Sequence, residues 1–376
     1  MTTENLNSKP IFVTKPFLPP LSEFLPALES IWESHILTNG GPYHQQFEAE
    51  LCDYLGVKYV SLFTNATIAL ITALQVLEIA GEVITTPFSF VATSHSLLWN
   101  NLTPVFVDVD RNTLNLDSAK IEAAITQKTT AILPVHCYGN PCDVEAIELI
   151  AKKHNLKVIY DAAHAFGVKC HCGSILNHGD LSILSFHATK AFNTFEGGAI
   201  ISSNLETKLR IDSLKNFGIE SDTSVKIAGI NGKMSEFNAA LGILQLKYFE
   251  DVVAKRKQIA QTYQSRLKSV EGIEILGPFE QLQPNYSYFP ILVTDKFRMT
   301  RDELFDFLKI AGIYTRRYFY PLISTFSMYQ HLPSSDVTNL SIAYDASQQI
   351  LCLPIYPGLE TTLIDKICAL ISTNEF

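Results

Sequence analysis

From about residue 57 onward, short apolar and β-branched runs alternate with longer stretches of helical periodicity. The runs at residues 57–63, 82–86, 104–109, 131–135, 157–160, 181–186 and 199–202 predict strands. Between several of them, residues 68–79, 119–125, 144–154 and 207–216 carry helical patterns. Strands separated by helix-length crossovers imply a mainly parallel sheet covered on both faces. Several of the strand runs are nearly all apolar, as a doubly buried sheet requires. The expected fold class is α/β.

The pattern changes after Gly232. Residues 235–269 read as one long helix, or two in line, interrupted only by Gly242. The stretch from Pro278 to Pro284 marks a junction. A smaller unit follows, with a strand at 287–293 and a helix opened by the capping box Thr300-Arg301-Asp302-Glu303. Further helices are predicted near 342–351 and 363–372. The expected division is a large α/β domain over residues 1–250 and a small C-terminal α/β domain over 251–376, hinged on the long helix. No internal repeat or low-complexity segment is evident.

Composition narrows the class. Charged residues are 18% and hydrophobic ones 47% of the 376, a balance suited to a globular chain large enough for two cores. The net charge of -9 and absence of a Lys/Arg stripe argue against a nucleic-acid partner. The polar first ten residues do not resemble a signal peptide, and no apolar run is long enough to span a membrane. Seven scattered cysteines read as reduced thiols in a cytoplasm. The cluster Cys170, His171, Cys172 and His178 offers zinc-type ligands. Three consecutive ligands diverge and the usual paired spacing is missing, so a surface loop and no metal are expected.

Ligands of open α/β sheets bind beyond the carboxyl ends of the strands. There the sequence places Thr64-Asn65-Ala66-Thr67, Pro87-Phe88-Ser89-Phe90, Asp161-Ala162-Ala163-His164 and His187-Ala188-Thr189-Lys190. The first is a polar helix start able to receive a phosphate, or an ordinary N-cap. Asp161 ends an apolar strand, where a charged state needs a partner such as a protonated pyridine nitrogen, although a helix cap or a Lys pair would also serve. Lys190, flanked by Phe186 and Phe192, could offer a neutral amine for imine formation; taken alone it reads as a surface charge. Ser185 could bind a phosphate oxygen, and Gly197-Gly198 would let the backbone pass close to a ligand. The order phosphate cap, aromatic, Asp, Lys along successive strand ends is more specific than any one piece.

These residues resemble a known family. Asp161-Ala162-Ala163-His164-Ala165-Phe166-Gly167, Ser185-Phe186-His187-Ala188-Thr189-Lys190 and Glu196-Gly197-Gly198-Ala199 look like the signature of the DegT–StrS sugar aminotransferases. The likeness extends to Asn39-Gly40-Gly41-Pro42, to Pro104-Val105-Phe106-Val107-Asp108-Val109-Asp110 and to Asn231-Gly232-Lys233-Met234. It implies fold type I and a pyridoxal 5'-phosphate (PLP) cofactor, with pyridoxamine 5'-phosphate between the half-reactions. By resemblance Lys190 would form the Schiff base and shuttle the proton, and Asp161 would pair with the pyridine nitrogen. His164 would contact the phenolic oxygen, and Phe90 would stack on the ring. Ala66, Thr67 and Ser185 would hold the phosphate, with Ala66 departing from the family's usual Gly. Asn231 would reach the neighbouring subunit's phosphate, which requires a homodimer with shared sites.

A branch of that family replaces the lysine with histidine and dehydrates sugars; Lys190 selects amination instead. His187 and the segment Thr315-Arg316-Arg317-Tyr318-Phe319-Tyr320-Pro321 resemble the 4-aminotransferases of nucleotide-linked 4-keto-6-deoxy sugars. The expected substrate is dTDP-4-keto-6-deoxy-D-glucose, with L-glutamate as donor, in surface polysaccharide (O-antigen) biosynthesis. Candidate substrate contacts are Asn39, Gly40, His187, Arg316, Arg317 and Tyr318, the arginines alternatively being surface charges. Two rivals were a 3-aminotransferase or UDP-sugar enzyme of the same fold, and a non-catalytic PLP-binding protein. An NAD(P)-dependent reductase would need a Gly-x-Gly-x-x-Gly turn, which is missing.

Overall fold

A computed structural model describes residues 9–171, 173–277 and 282–373. Its centre is a seven-stranded sheet of β1 (Tyr59–Phe63), β2 (Glu82–Thr85), β3 (Thr103–Phe106), β4 (Thr129–Leu133), β5 (Lys157–Asp161), β6 (Leu181–Ser185) and β7 (Gly198–Ser202). The spatial order is β1-β7-β6-β5-β4-β2-β3. Only β7 runs against its neighbours β1 and β6; the other pairs are parallel. Each run predicted for this sheet is a strand, with ends moved by at most three residues.

Helices cover both faces because the strands are apolar on both. These are α1 (Leu21–Ser34), α2 (Pro42–Leu55), α3 (Ala66–Val76), α4 (Ala92–Trp99), α5 (Val144–His154), α6 (Leu205–Leu214) and α7 (Glu236–Leu267). Successive strand residues point to opposite sides. Val60, Leu62, Ile84 and Val158 pack with Phe47, Ile147 and Phe249 on one face. Phe63, Val83, Ile159 and Ile183 pack with Leu70, Leu97 and Ile211 on the other. The four helices α1, α2, α4 and α7 were not all foreseen: only α7 had a clear pattern, while α1 carries Pro26 inside it.

Helix α7 is a single rod of 32 residues, about 48 Å long, started by Ser235, whose hydroxyl accepts from Asn238 N–H. Ala239 and Phe249, toward its start, enter the core of the large sheet. Ile259, Tyr263 and Leu267, toward its end, enter a separate core. That second core is built on an antiparallel three-stranded sheet, β8 (Ile273–Ile275), β9 (Phe289–Val293) and β10 (Ile350–Leu353), in that order. Around it lie α8 (Arg301–Ile310), α9 (Ser341–Gln349) and α10 (Thr361–Thr373). The capping box at Thr300 and Glu303 is formed.

Two expectations change. The helix foreseen over 342–351 ends at Gln349, and Ile350 to Leu353 pair with β9 instead. Pro354 follows directly and cannot continue a helix, whereas four buried apolar residues suit a strand. Cys170 is disulfide-bonded rather than reduced, while Cys52, Cys137, Cys142, Cys352 and Cys368 are free. Cys172 and residues 278–281 of the expected junction lie outside the described residues. Among the described residues no helix is long and apolar enough to cross a membrane, and no His/Cys/Asp/Glu group is placed to hold a metal.

Candidate active site

The carboxyl ends of β1, β5 and β6 open onto a cleft of about 510 Å³. It is lined by Ala66, Thr67, Phe90, Asp161, His164, Ser185, His187, Lys190 and Tyr318 among others. Nine residues singled out from sequence, on segments up to 250 positions apart, therefore meet in one place. Asn39, Gly40, Asn231, Arg316 and Arg317 are not among the lining residues.

Asp161 closes β5 and is buried, 5% exposed. Its Oδ2 accepts from the Thr93 hydroxyl at 2.7 Å and its Oδ1 from Ala163 N–H at 3.1 Å. Burial raises its pKa, and the two hydrogen bonds and the Lys190 ammonium pull the other way. Lys190 sits on the loop after β6, its N–H donating to His187 C=O at 2.9 Å. Burial lowers its ammonium to about 8, opposed by Asp161 and Tyr318. Its Nζ is 3.4 Å from the Tyr288 hydroxyl. Lys190 thus gives up its proton far more readily than an ordinary lysine, although its ammonium still predominates at neutral pH.

His164 follows three residues after Asp161 because the chain turns tightly at Ala162–Ala165, closed by Ala165 N–H to Ala162 C=O at 2.8 Å. Its Nδ1 accepts from Tyr138 N–H at 3.2 Å, which leaves the remaining proton on Nε2. Burial holds the ring well below the usual histidine range, so it is neutral. The ring stacks on Phe319 and meets Tyr288 edge-on, 4.9 Å between centroids.

The end of α3 forms the opposite corner. Asn65 caps it, accepting from Ile68 N–H at 2.9 Å, and the N–H groups of Ala66 and Thr67 belong to the first turn, which has no intrahelical acceptors. The helix start rests on β7: a Cβ at Gly198 would come 2.6 Å from Ala66 N. Gly197 is equally confined, since its Cβ would lie 2.2 Å from Thr194 Oγ1. An anion drawn to the helix end would lie beside Ser185, His187 and Thr189.

His187 is exposed at the mouth, 2.8 Å from Thr189 Oγ1 and 3.6 Å from Glu196. Phe90, 57% exposed, forms an apolar lip. Tyr318 lines the far wall, its carbonyl accepting from the Tyr138 hydroxyl. Arg316 is exposed, its charge felt at Tyr318. Arg317 is turned away: it pairs with Asp302 at 2.7 Å and lies over the Phe305 and Tyr320 rings. Asn39, in left-handed conformation, is exposed, and Gly40 accepts from Gln45 Nε2. Asn231 is exposed and bridges to Asn216. Thr93 and Tyr288 were missed from sequence, and Ser89 and Phe319 stood in the segments singled out without a role of their own. Ser89 and Thr93 had a usable signal, a four-residue spacing at a helix start beside Phe90; Tyr288 had none, coming from β9's approach.

Comparison with known proteins identifies the family of the chain. The sequence profile described as the DegT/DnrJ/EryC1/StrS aminotransferase family covers residues 21–372. A dTDP-4-amino-4,6-dideoxy-D-glucose transaminase of Shigella dysenteriae is 55% identical over 96% of this chain and 98% of its own. Among solved structures, DesI in the presence of its TDP-sugar product superposes with a TM-score of 0.93 at 31% identity, covering 97% of this chain and 93% of its own. The PMP-form of a putative sugar aminotransferase of Streptococcus pneumoniae gives 0.90 at 25% identity, covering 97% of each.

Proposed function

This chain belongs to the DegT/DnrJ/EryC1/StrS aminotransferase family, and we propose that it carries an amino group from L-glutamate to C4 of dTDP-4-keto-6-deoxy-D-glucose, giving dTDP-4-amino-4,6-dideoxy-D-glucose. The observation that carries the reading is the cleft itself: a buried lysine whose ammonium is lowered to about 8 and a buried carboxylate face one space beside an open helix N-terminus. The Shigella relative, similar along nearly its whole length, bears the name of that transaminase.

The residues present fit PLP. Asp161 is a buried carboxylate in need of a cation, the α3 start and Ser185 offer donors for a phosphate, and Gly198 lets the α3 start sit directly on β7. Bound there, the cofactor supplies an aldehyde for imine formation and an electron-withdrawing ring that makes a carbon next to nitrogen acidic. The α3 N–H groups, Thr67 and Ser185 would hold its phosphate, Asp161 its ring nitrogen, His164 Nε2–H its phenolic oxygen, and Phe90 its ring face.

The chain's own groups then do three things. Lys190 Nζ, released as a free amine, removes the α-proton of glutamate as general base. The same amine later delivers a proton to the sugar's C4 from the side it occupies, which sets the configuration of the new amine. His187 at the mouth and Tyr318 on the far wall would meet an entering sugar nucleotide, and Arg316, exposed outside the cleft with its charge felt at Tyr318, would match a carboxylate or diphosphate.

The reading includes a homodimer. Asn231 lies outside the chain's own cleft, and Trp32 and Trp99 are 71% and 77% exposed, as surfaces awaiting a second copy are. Asn231 of each copy would then complete the other's phosphate site. The product would serve surface polysaccharide (O-antigen) assembly, made in the cytoplasm. Incubating the protein with PLP, dTDP-4-keto-6-deoxyglucose and L-glutamate tests the assignment. Mass spectrometry should find the aminosugar and NMR should place nitrogen on C4; no aminosugar, or an amine at C3, overturns it.

A further inference from the structure

At Asp161, α4 and the turn before it bring up two hydroxyls, of which Ser89 also lines the cleft. Ser89 Oγ lies 2.8 Å from Thr93 Oγ1, and Thr93 Oγ1 lies 2.7 Å from Asp161 Oδ2. Ser89, Thr93 and Asp161 are 4%, 0% and 5% exposed, so water does not substitute for these contacts. A hydroxyl has one proton to give. Next to an ionised carboxylate, which can only accept, Thr93 must donate to Asp161 and therefore receive from Ser89. The chain has one direction while Asp161 is charged. With Ala163 N–H on Oδ1, both carboxylate oxygens are tethered.

We propose that Thr93 is a positioning residue for Asp161: its hydroxyl, supplied by Ser89, keeps the carboxylate ionised and aimed at the cofactor's ring nitrogen. The inference rests on the PLP reading above. The titratable groups around Asp161 are Lys190 from the loop after β6, His164 from the turn after β5, and the Cys137 and Cys142 thiols beyond β4. His164 is neutral, and both thiols are raised by burial and remain uncharged. Among the described residues that leaves Lys190 as the cation beside Asp161, and it has no charge to offer while its amine acts as a base. The hydroxyl chain is the support for a charged Asp161 that persists through the whole reaction.

A Thr present for packing alone would be replaceable by Val, which has the same shape. PLP titration of the apo-protein and the pH dependence of the bound cofactor's visible band separate the two cases. Loss of one charge-assisted hydrogen bond in Thr93→Val should raise the apparent Kd about tenfold and move the midpoint of the band's titration. Thr93→Ser, which keeps the hydroxyl, should restore both to near the wild-type values. Ser89→Ala, removing only the supplying donor, should shift both in the same direction by less. Wild-type affinity and titration in Thr93→Val and Ser89→Ala overturn the inference; if Thr93→Val does not fold, Ser89→Ala decides. Failure of the wild-type protein to take up PLP sinks the cofactor reading instead.

Discussion

Lys190 shows how little a residue means before its surroundings are known. Alone in the sequence it reads as a surface charge, and an ordinary lysine would hold its proton to pH ~10.4. In the cleft, burial outweighs the attraction of Asp161 and brings the ammonium down to about 8. The sign follows: the reactive amine is scarce below pH 8 and abundant above it. The rate at which apo-protein combines with PLP should therefore climb with pH and level off just above 8. Stopped-flow absorbance measures this, and a rate still climbing steeply at pH 10 would show an unperturbed lysine. The burial behind that shift was not readable locally, because Tyr288 and Tyr318 come from segments about 100 and 130 residues away.

At the scale of elements, the site depends on a helix set down tightly on a strand. The start of α3 touches β7 through Gly198, where a Cβ would meet Ala66 N at 2.6 Å and Asn65 C at 2.7 Å. Both are backbone atoms and neither can swing aside. Gly198→Ala should push the helix start away and cost about 1–3 kcal/mol of stability as overpacking does. PLP affinity should fall more than that of an equally destabilised variant remote from the cleft; denaturant unfolding and PLP titration, run together, check this. The strands themselves were legible because doubly buried runs such as Leu-Ser-Ile-Leu-Ser and Gly-Ala-Ile-Ile-Ser stand out. The helices α1 and α2 were not, since much of α1 faces outward and Pro26 interrupts its pattern.

For the whole molecule, the question is whether one chain makes one site. Asn231 and Lys190 belong to different sites in the proposed dimer, so variants at the two positions should complement. Mixing Lys190→Ala with Asn231→Ala, after dissociation and reassociation, should yield mixed dimers with one intact site, and activity above that of either parent. Activity no higher than the parents' would place Asn231 outside the neighbouring site. The large and small cores are tied by α7, which enters both. They are tied again by Asp108, buried after β3, whose carboxylate accepts from the Ile342 and Ala343 N–H groups at the start of α9.

The succession of strands in the large sheet, and the chemistry available at strand ends, were already determined by the sequence. Apolar periodicity is local: Asp161 and Ser185 close apolar strands, and Lys190 follows five residues after Ser185. Arg316 and Arg317 show the limit: adjacent and identical in type, they part company only in three dimensions. One stays exposed near Tyr318, and the other is captured by Asp302 and two aromatic rings. The same holds for Thr93 against Asp161 and Tyr288 beside Lys190. Burial and hydrogen-bond direction are set by which distant segments pack together, and that is decided only when the chain has folded.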